Sequence, residues 1–444
     1  MEVEIISKEK VKPSSPTPPQ IYKFSLLDQI SLPRFYPVVL YFLPEPDSNN
    51  SSRKIHILKE SLSSNLTRFY PLAGIINDDL SVKCGDEDEG IPFFVAKVRG
   101  HLEAGFLSQP DLRMITKFLP IDYAFRTPSP GDHASMIQVN CFECGGLAIC
   151  VLVAHAVADV MSLTTFIRGW AAAARSTGDE AEFICPKFIG HDLFPSIDAM
   201  KSESKLYSYY FTKFARLGKF VTRRYVFDAS LIAKLKERAT SSDDHAKPTS
   251  IEVVTAFIWK CYMDKCNTEE PFLLTHQVNL RTRADPALPE ETFGNFIWLT
   301  ATKCISPTTL TGTDHFKDLV SEVDRAIRKI DSKFVQVLQN NDGYYEHFEE
   351  ARKGFRKGAN QLSFTSWCKF GLYDIDFGWG KPIWLSSYVS SNSESVFAGF
   401  VILNDTRSGD GIEAWVILDE KLAAAFEESE DLQNHVLINP RATC

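Results

Sequence analysis

The stretch that most narrows the folds open to this chain is Leu147-Ala-Ile-Cys-Val-Leu-Val-Ala154, eight apolar residues without a break. Such a run has no polar face, so it reads as a strand buried on both sides of a sheet. His155 stands at its end, and Val160-Met-Ser-Leu-Thr-Thr-Phe-Ile-Arg-Gly-Trp170 continues as a helix. Asp159 falls near that helix's start, where a carboxylate caps free N–H groups or pairs with a cation. The end of a buried strand is where pockets commonly form in mixed α/β proteins. A histidine held there, with an ordinary pKa of about 6.5, is largely neutral at pH 7 and can take a proton from a hydroxyl. The His-x-x-x-Asp pattern is short, however, and a satisfied core histidine is the competing reading.

At 444 residues the chain is too long for one core, and it fits two lobes of about 200 residues each. Its 44% hydrophobic content and 32 Phe supply two packed cores. A net charge of −9 without a basic cluster argues against a nucleic-acid partner. Met1–Lys10 is charged and lacks an apolar core segment, so no secretory signal is expected. No apolar stretch is long enough for a membrane span. The ending Arg441-Ala-Thr-Cys444 is neither a prenylation box nor a peroxisomal tripeptide, so a cytoplasmic location is expected. Cys141-Phe-Glu-Cys144 has CxxC spacing but no second pair at zinc-ribbon distance, so reduced packing thiols and no metal site are expected. The sequons at Asn49, Asn50, Asn65 and Asn404 are then idle.

Taken in order, Val11–Pro19 is a proline-rich lead-in to Phe24-Ser-Leu-Leu-Asp28 and a strand at Val38–Leu43. Ile55, Leu58, Leu62, Leu66 and Phe69 recur at helical steps, and Pro71 and Gly74 stop that helix. Strands follow at 80–84 and 92–98, and Met136–Ala154 reads as a hairpin turning at Gly145-Gly146. Periodicity fades from Asp179 to Gly218. The second half opens with a strand at 219–227 and a helix capped by Asp228, then a polar loop at 240–248. Thr249-Ser-Ile-Glu252 is a capping box before a helix reaching about Asp264. Strands are expected at 272–280, 361–367, 396–403 and 412–418, with an amphipathic helix from Phe316 to Ile330. The class is α/β with mixed sheets, divided into a first lobe of residues 1–185, a crossover of 186–218 and a second lobe of 219–444.

Phe24-Ser-Leu-Leu-Asp28, Phe69-Tyr-Pro-Leu-Ala-Gly74, His155-Ala-Val-Ala-Asp159, Gln277-Val-Asn-Leu-Arg281, Phe293-Gly-Asn295 and Asp376-Phe-Gly-Trp-Gly380 occur in this order and span essentially the whole chain. Together they resemble the plant BAHD acyltransferases. Phe142-Glu-Cys-Gly-Gly146, Ser363-Phe-Thr-Ser-Trp-Cys368 and Asp405-Thr-Arg-Ser-Gly-Asp-Gly411 are most similar to that family's alkaloid acetyltransferase branch. The resemblance implies two chloramphenicol-acetyltransferase-like domains, each a mixed sheet with flanking helices. Coenzyme A would enter the channel between them from one face and the acceptor from the other.

The resemblance also assigns roles. His155 matches the general base, which deprotonates the acceptor hydroxyl and returns the proton to the leaving thiolate in a direct, ternary-complex transfer. Asp159 belongs to the catalytic motif as support, paired with Arg281, with Arg283 in reserve. Thr365 and Trp367 match a Thr-x-Trp that faces the reacting carbonyl. Asp376, Gly378 and Gly380 are implied to hold loops of the second lobe. Phe35 and Tyr36, placed just before the first-lobe strand, line the acceptor pocket in relatives. Ser250 is a candidate coenzyme contact, although capping its helix is the competing job. Val160, Ile75 and Phe296 depart from residues common in the family, and Phe296 weighs against a malonylated pigment. The expectation is a monomeric, acetyl-CoA-dependent O-acetyltransferase with acetyl-CoA as co-substrate, no permanent cofactor and a plant alkaloid alcohol as acceptor. A terpenoid or phenolic alcohol, or malonyl-CoA as donor, is the alternative within enzymes. A catalytically silent small-molecule binding protein is the alternative outside them.

Overall fold

The structure is a computed structural model. It describes residues 1–16, 18–31, 34–45, 51–77, 81–85, 90–120, 127–176, 183–196, 215–216, 219–240, 247–306, 315–340, 359–387, 396–397 and 399–442. Most of the expected crossover, part of the 240–248 loop, and Asn49 and Asn50 lie outside these residues.

Among the described residues, thirteen strands make the two large sheets: β1 (Glu2–Val11), β2 (Phe35–Phe42), β3 (Ile91–Arg99), β4 (Ser135–Phe142), β5 (Leu147–Ala154), β6 (Phe220–Phe227), β7 (Phe272–Asn279), β8 (Ile297–Ala301), β9 (Asn360–Ser366), β10 (Trp384–Ser386), β11 (Phe400–Asp405), β12 (Ile412–Asp419) and β13 (Leu437–Ile438). The first sheet runs β1-β3-β4-β5-β2-β10 and the second β8-β7-β9-β11-β12-β6-β13. Both are mixed: β3 and β4 pair in parallel in the first, as do β7 with β9 and β9 with β11 in the second.

β5 is the apolar run, and every one of its residues is buried. It has β4 on one side and β2 on the other, which is why it needs no polar face. The alternation of side chains across β2 shows what covers each face of this sheet. Tyr41 meets Phe106, Phe118 and Trp384 on one side. Phe42 meets Phe377 on the other, where Trp170 of α3 (Val160–Arg175) also lies. The indole N–H of Trp170 donates to the Leu58 carbonyl at 2.9 Å, tying α3 to α2 (Ser51–Leu66).

In the second sheet one face carries Leu274, Phe364, Val401, Leu403, Ala414 and Val416, which share a core with α5 (Ser250–Lys265) and α6 (Phe316–Arg328). A helix α4 (Ala229–Ala239) packs beside them, N-capped by Asp228. The opposite face, with Thr275, Gln277, Asn279, Thr365 and Ile402, turns toward the first lobe.

Three placements differ from expectation. Met1–Lys10, given no element from sequence, supplies most of β1, which pairs with β3 along nine positions as an edge strand whose Glu and Lys side chains stay in solvent. Phe35 and Tyr36 lie inside β2 rather than before it, with Pro37 between them and Val38. Asp376-Phe-Gly-Trp-Gly380 docks on the first lobe rather than on loops of the second. Phe377 is buried against Phe42 and Trp170, Trp379 stacks on Phe377 at 5.5 Å, and Arg175 of α3 donates to the Asp376 carbonyl. The Asp376 carboxylate closes the turn by accepting from the N–H of Gly378 (2.7 Å) and Gly380 (3.0 Å). Just beyond it, β10 adds to the edge of the first sheet by pairing with β2. A segment from the second half of the chain thus completes the first lobe.

Candidate active site

β5 ends at Ala154 and the chain turns through His155–Ala158 into α3. The turn is pinned by its backbone, with the His155 N–H donating to the Arg34 carbonyl at 2.9 Å and Val157 to Ala154 at 2.9 Å. The Tyr36 hydroxyl donates to the Ala158 carbonyl at 3.1 Å, and its ring lies 4.8 Å from the His155 imidazole. The imidazole is therefore held by β2 as well as by its own strand.

Asn295 sets which ring nitrogen is free to accept a proton. Its Nδ2 donates to the His155 carbonyl (2.8 Å) and to Asp28 Oδ1 (2.8 Å), which uses both amide hydrogens. The amide oxygen is then the atom facing His155 Nδ1 at 3.1 Å. An oxygen there accepts, so Nδ1 carries the hydrogen and Nε2 keeps its lone pair. Asp28 fixes Asn295 in turn: Oδ1 also accepts from the Asn295 N–H at 2.7 Å, while Oδ2 accepts from the N–H and hydroxyl of Ser25, both at 2.8 Å. Ser25 and Asp28 form the capping box of the short helix α1 (Leu26–Gln29). Burial pushes the Asp28 carboxyl up to about 6 despite these donors. Burial likewise holds the His155 pKa below its ordinary value, against the opposing pull of its hydrogen bonds and the Asp159 charge. The ring is thus neutral at pH 7, the form a base requires.

Asp159 points away from the imidazole. It caps α3 by accepting from the Ser162 N–H at 2.8 Å, accepts from Phe296 N–H at 3.0 Å, and takes both terminal nitrogens of Arg281 at 2.7 and 3.1 Å. Burial alone would raise its carboxyl; the Arg281 guanidinium and the two N–H groups outweigh that and hold it below the usual carboxylate range. Arg281 also donates to the carbonyl of Thr292 and to the Ser162 hydroxyl. The loop Phe293–Asn295 is thereby clamped onto the start of α3. Gly294 has φ +128, and a Cβ there would come within 3.1 Å of the Tyr22 hydroxyl, so the position demands glycine.

A cleft with about 900 Å³ of atom-free space, part of it open to solvent, lies between the lobes beside this cluster. His155, Phe35, Tyr36, Thr365 and Trp367 all line it, as does the edge of the Asp159–Arg281 pair. Thr365 comes from β9 and Trp367 is the first residue past its end; both line the cleft. Asp376, Gly378 and Gly380 do not line it. Ser250 does not line it either, and it does not cap α5: Thr249 is the N-cap, accepting from the Glu252 N–H at 3.2 Å. Two residues essential to the arrangement, Asp28 and Asn295, had no role assigned from sequence, although both sit in quoted motifs. The Ser-x-x-Asp spacing was the readable signal for Asp28. Cys368, next to Trp367 in the chain, is pushed by burial up to about 12, which leaves it protonated at neutral pH.

A neutral, oriented imidazole in a cleft between two lobes can accept a proton from one ligand while a second ligand lies opposite. Comparison with known proteins identifies relatives of the whole chain. Residues 1–433 match the family model described as the Transferase family. The chain is 36% identical to epi-neemfruitin B 7-O-acetyltransferase of Melia azedarach, over 99% of both chains. It is also 36% identical to limonoid 7-O-acetyltransferase of Citrus sinensis, again over 99% of both. Vinorine synthase of Rauvolfia serpentina is 34% identical over 94% of both chains. The crystal structure of vinorine synthase superposes with a TM-score of 0.78, 31% identity and 98% coverage of each chain.

Proposed function

This chain belongs to the BAHD transferase family and is an acyltransferase, and from that premise we propose that it moves acetyl from acetyl-CoA to a hydroxyl of a polycyclic plant metabolite. The observation that carries the reading is the His155 turn: a buried, neutral imidazole with Nδ1 held by Asn295, leaving Nε2 to accept in the interlobe cleft.

In this mechanism the acceptor hydroxyl approaches His155 Nε2, which takes its proton as the oxygen attacks the thioester carbonyl. The imidazolium then protonates the departing thiolate, so both substrates are bound together and no acyl-enzyme forms. A thiolate leaves readily because a free thiol has a pKa of only about 8.5. Thr365 and Trp367 face the same cleft, and their O–H and N–H stabilise the carbonyl oxygen as it gains charge. Asp159 and Arg281 hold the turn that aims the ring and take no proton. The lobe division at 1–185 and 219–444 belongs to this reading, with β10 the exception, a second-half strand that joins the first sheet.

The acceptor we favour is a neutral, oxygenated terpenoid of limonoid type. The two relatives at 36% identity include one named for limonoids. The cleft agrees: Phe35, Tyr36, Trp367, Phe370 and Phe400 line it, and the one carboxylate among its described lining residues, Asp159, is spent on Arg281. A protonated amine would find no free acid among the described lining residues. An alkaloid alcohol is the second reading, supported by vinorine synthase, a relative of the alkaloid branch. We further propose that the enzyme acts as a cytoplasmic monomer. The test is purified enzyme with acetyl-CoA and a panel of limonoid, alkaloid and phenolic alcohols, with products read by mass spectrometry. Acetylation of a limonoid alcohol ahead of the others supports the reading. Thioester consumption with no acetylated alcohol in any class would sink it.

A further inference from the structure

One polar side chain of the cleft is used by nothing described so far. Gln277 projects from the inner face of β7, is partly exposed, and lines the cleft. Its carboxamide makes no side-chain hydrogen bond to any described residue. Its neighbours further along the second sheet are bonded to one another: Thr275 donates to Ser363 at 2.9 Å, and Gln361 donates to Thr275 at 3.3 Å and to Ser363 at 3.2 Å. These four residues form a stripe along the sheet. Ladder register places Leu299 and Ala301 on one flank, opposite Gln277 and Thr275, and Ile402 and Phe400 on the other, beside Thr365 and Ser363. The result is a line of amides and hydroxyls between two apolar rails, leading away from the histidine turn.

The geometry points to Gln277 as the residue that binds the first amide of the donor's pantetheine arm. This inference rests on the acyl-CoA reading above and adds the residue that recognises the donor. The parallel ladder pairs His276 with Phe364, so Gln277 stands beside Thr365 on the adjacent strand, about 4.8 Å away. With the thioester carbonyl at Thr365, the sulfur lies next to it, and the first amide follows after two methylenes. A glutamine side chain rooted one strand over reaches that position. The next inward-facing residues are two positions along, about 6.6 Å, comparable to the spacing between the arm's first and second amides. Compact polycycles have no use for such a stripe, whereas an extended chain alternating amides with apolar carbon matches both the stripe and its rails.

The test compares wild type with Gln277→Leu, which keeps the bulk and removes the amide. Binding of free CoA is measured by calorimetry, and turnover is measured with acetyl-CoA, with S-acetyl-N-acetylcysteamine, which retains the first amide, and with S-ethyl thioacetate, which lacks it. One hydrogen bond lost at a partly exposed site is worth about a factor of ten. Gln277→Leu should weaken CoA binding and raise the KM for acetyl-CoA by about that factor, with acceptor KM and melting temperature unchanged. The wild-type preference for the amide-bearing short thioester should be of similar size and should vanish in the variant. An unchanged donor KM, or a rise in acceptor KM instead, would overturn the assignment while leaving the acyltransferase intact. Wild-type protein that neither binds CoA nor uses acetyl-CoA would overturn the acyl-CoA reading itself, and the assignment with it.

Discussion

Replacing Asp159 by Asn keeps the side-chain shape and removes the charge that neutralises Arg281. The wild-type pair is almost fully buried, with 4% and 2% of the respective side chains exposed. An Asn oriented to keep the α3 cap retains its oxygen toward Ser162 and one Arg281 nitrogen. Its NH₂ then faces the Phe296 N–H and the other Arg281 nitrogen, both of which are donors. Breaking a buried pair from one side costs about 3–5 kcal/mol. The carbonyl of Thr292 and the Ser162 hydroxyl still accept from the guanidinium, which favours the lower end, about 3 kcal/mol. At about 2–4 °C per kcal/mol for a unit of lobe size, the melting temperature should fall by roughly 6–12 °C. Thermal unfolding by circular dichroism measures this, and kcat is taken at 15 °C, where the variant is folded. In the proposed mechanism Asp159 supports the turn and handles no proton, so kcat of the folded fraction should stay within about tenfold of wild type. A loss of 100-fold or more at an unchanged melting temperature would refute the supporting role.

Thr365→Val, which removes the donor proposed to face the reacting carbonyl, should lower kcat about 10²-fold with little change in acceptor KM; steady-state kinetics checks it, and an unaltered kcat would remove Thr365 from the chemistry. Gly74→Ala should destabilise by about 1–3 kcal/mol, because the new Cβ would lie 2.4 Å from Val82 and 2.7 Å from the Lys83 carbonyl; denaturant titration reads this out. Burial lowers the His155 pKa, so the neutral base persists to lower pH than an exposed histidine would allow. The acid limb of the kcat–pH profile should therefore fall below about 6.5, and a limb at 7 or above would contradict the described burial.

What was legible in sequence was local. The apolar run, the histidine at its end and the capping aspartate are neighbours in the chain, so β5, the turn and α3 follow from periodicity and capping alone. The box at Thr249–Glu252 was readable for the same reason. Contacts between distant segments were not readable. Asp28 and Asn295 meet across 267 residues, and nothing in either motif announces the other. The docking of Phe377 on Trp170 and the joining of β10 to β2 are likewise tertiary outcomes. The misplaced start of β2 has a simpler cause. Pro37 lacks an N–H and reads as a strand boundary, yet it lies on the stretch that β10, paired only with Val39–Tyr41, does not reach. β1 was missed because its alternating charges look like a solvated tail, while an edge strand needs no buried face. Gln277 was quoted as part of a motif, and only the cleft shows that its amide is unspent.

The central claim is that one imidazole does the proton transfer, and His155→Ala tests it most directly. Single-turnover acetyl transfer from acetyl-CoA should fall by at least about 100-fold, with CoA binding and melting temperature close to wild type. Acetyl transfer at near wild-type rate by a folded, CoA-binding His155→Ala protein would contradict the account.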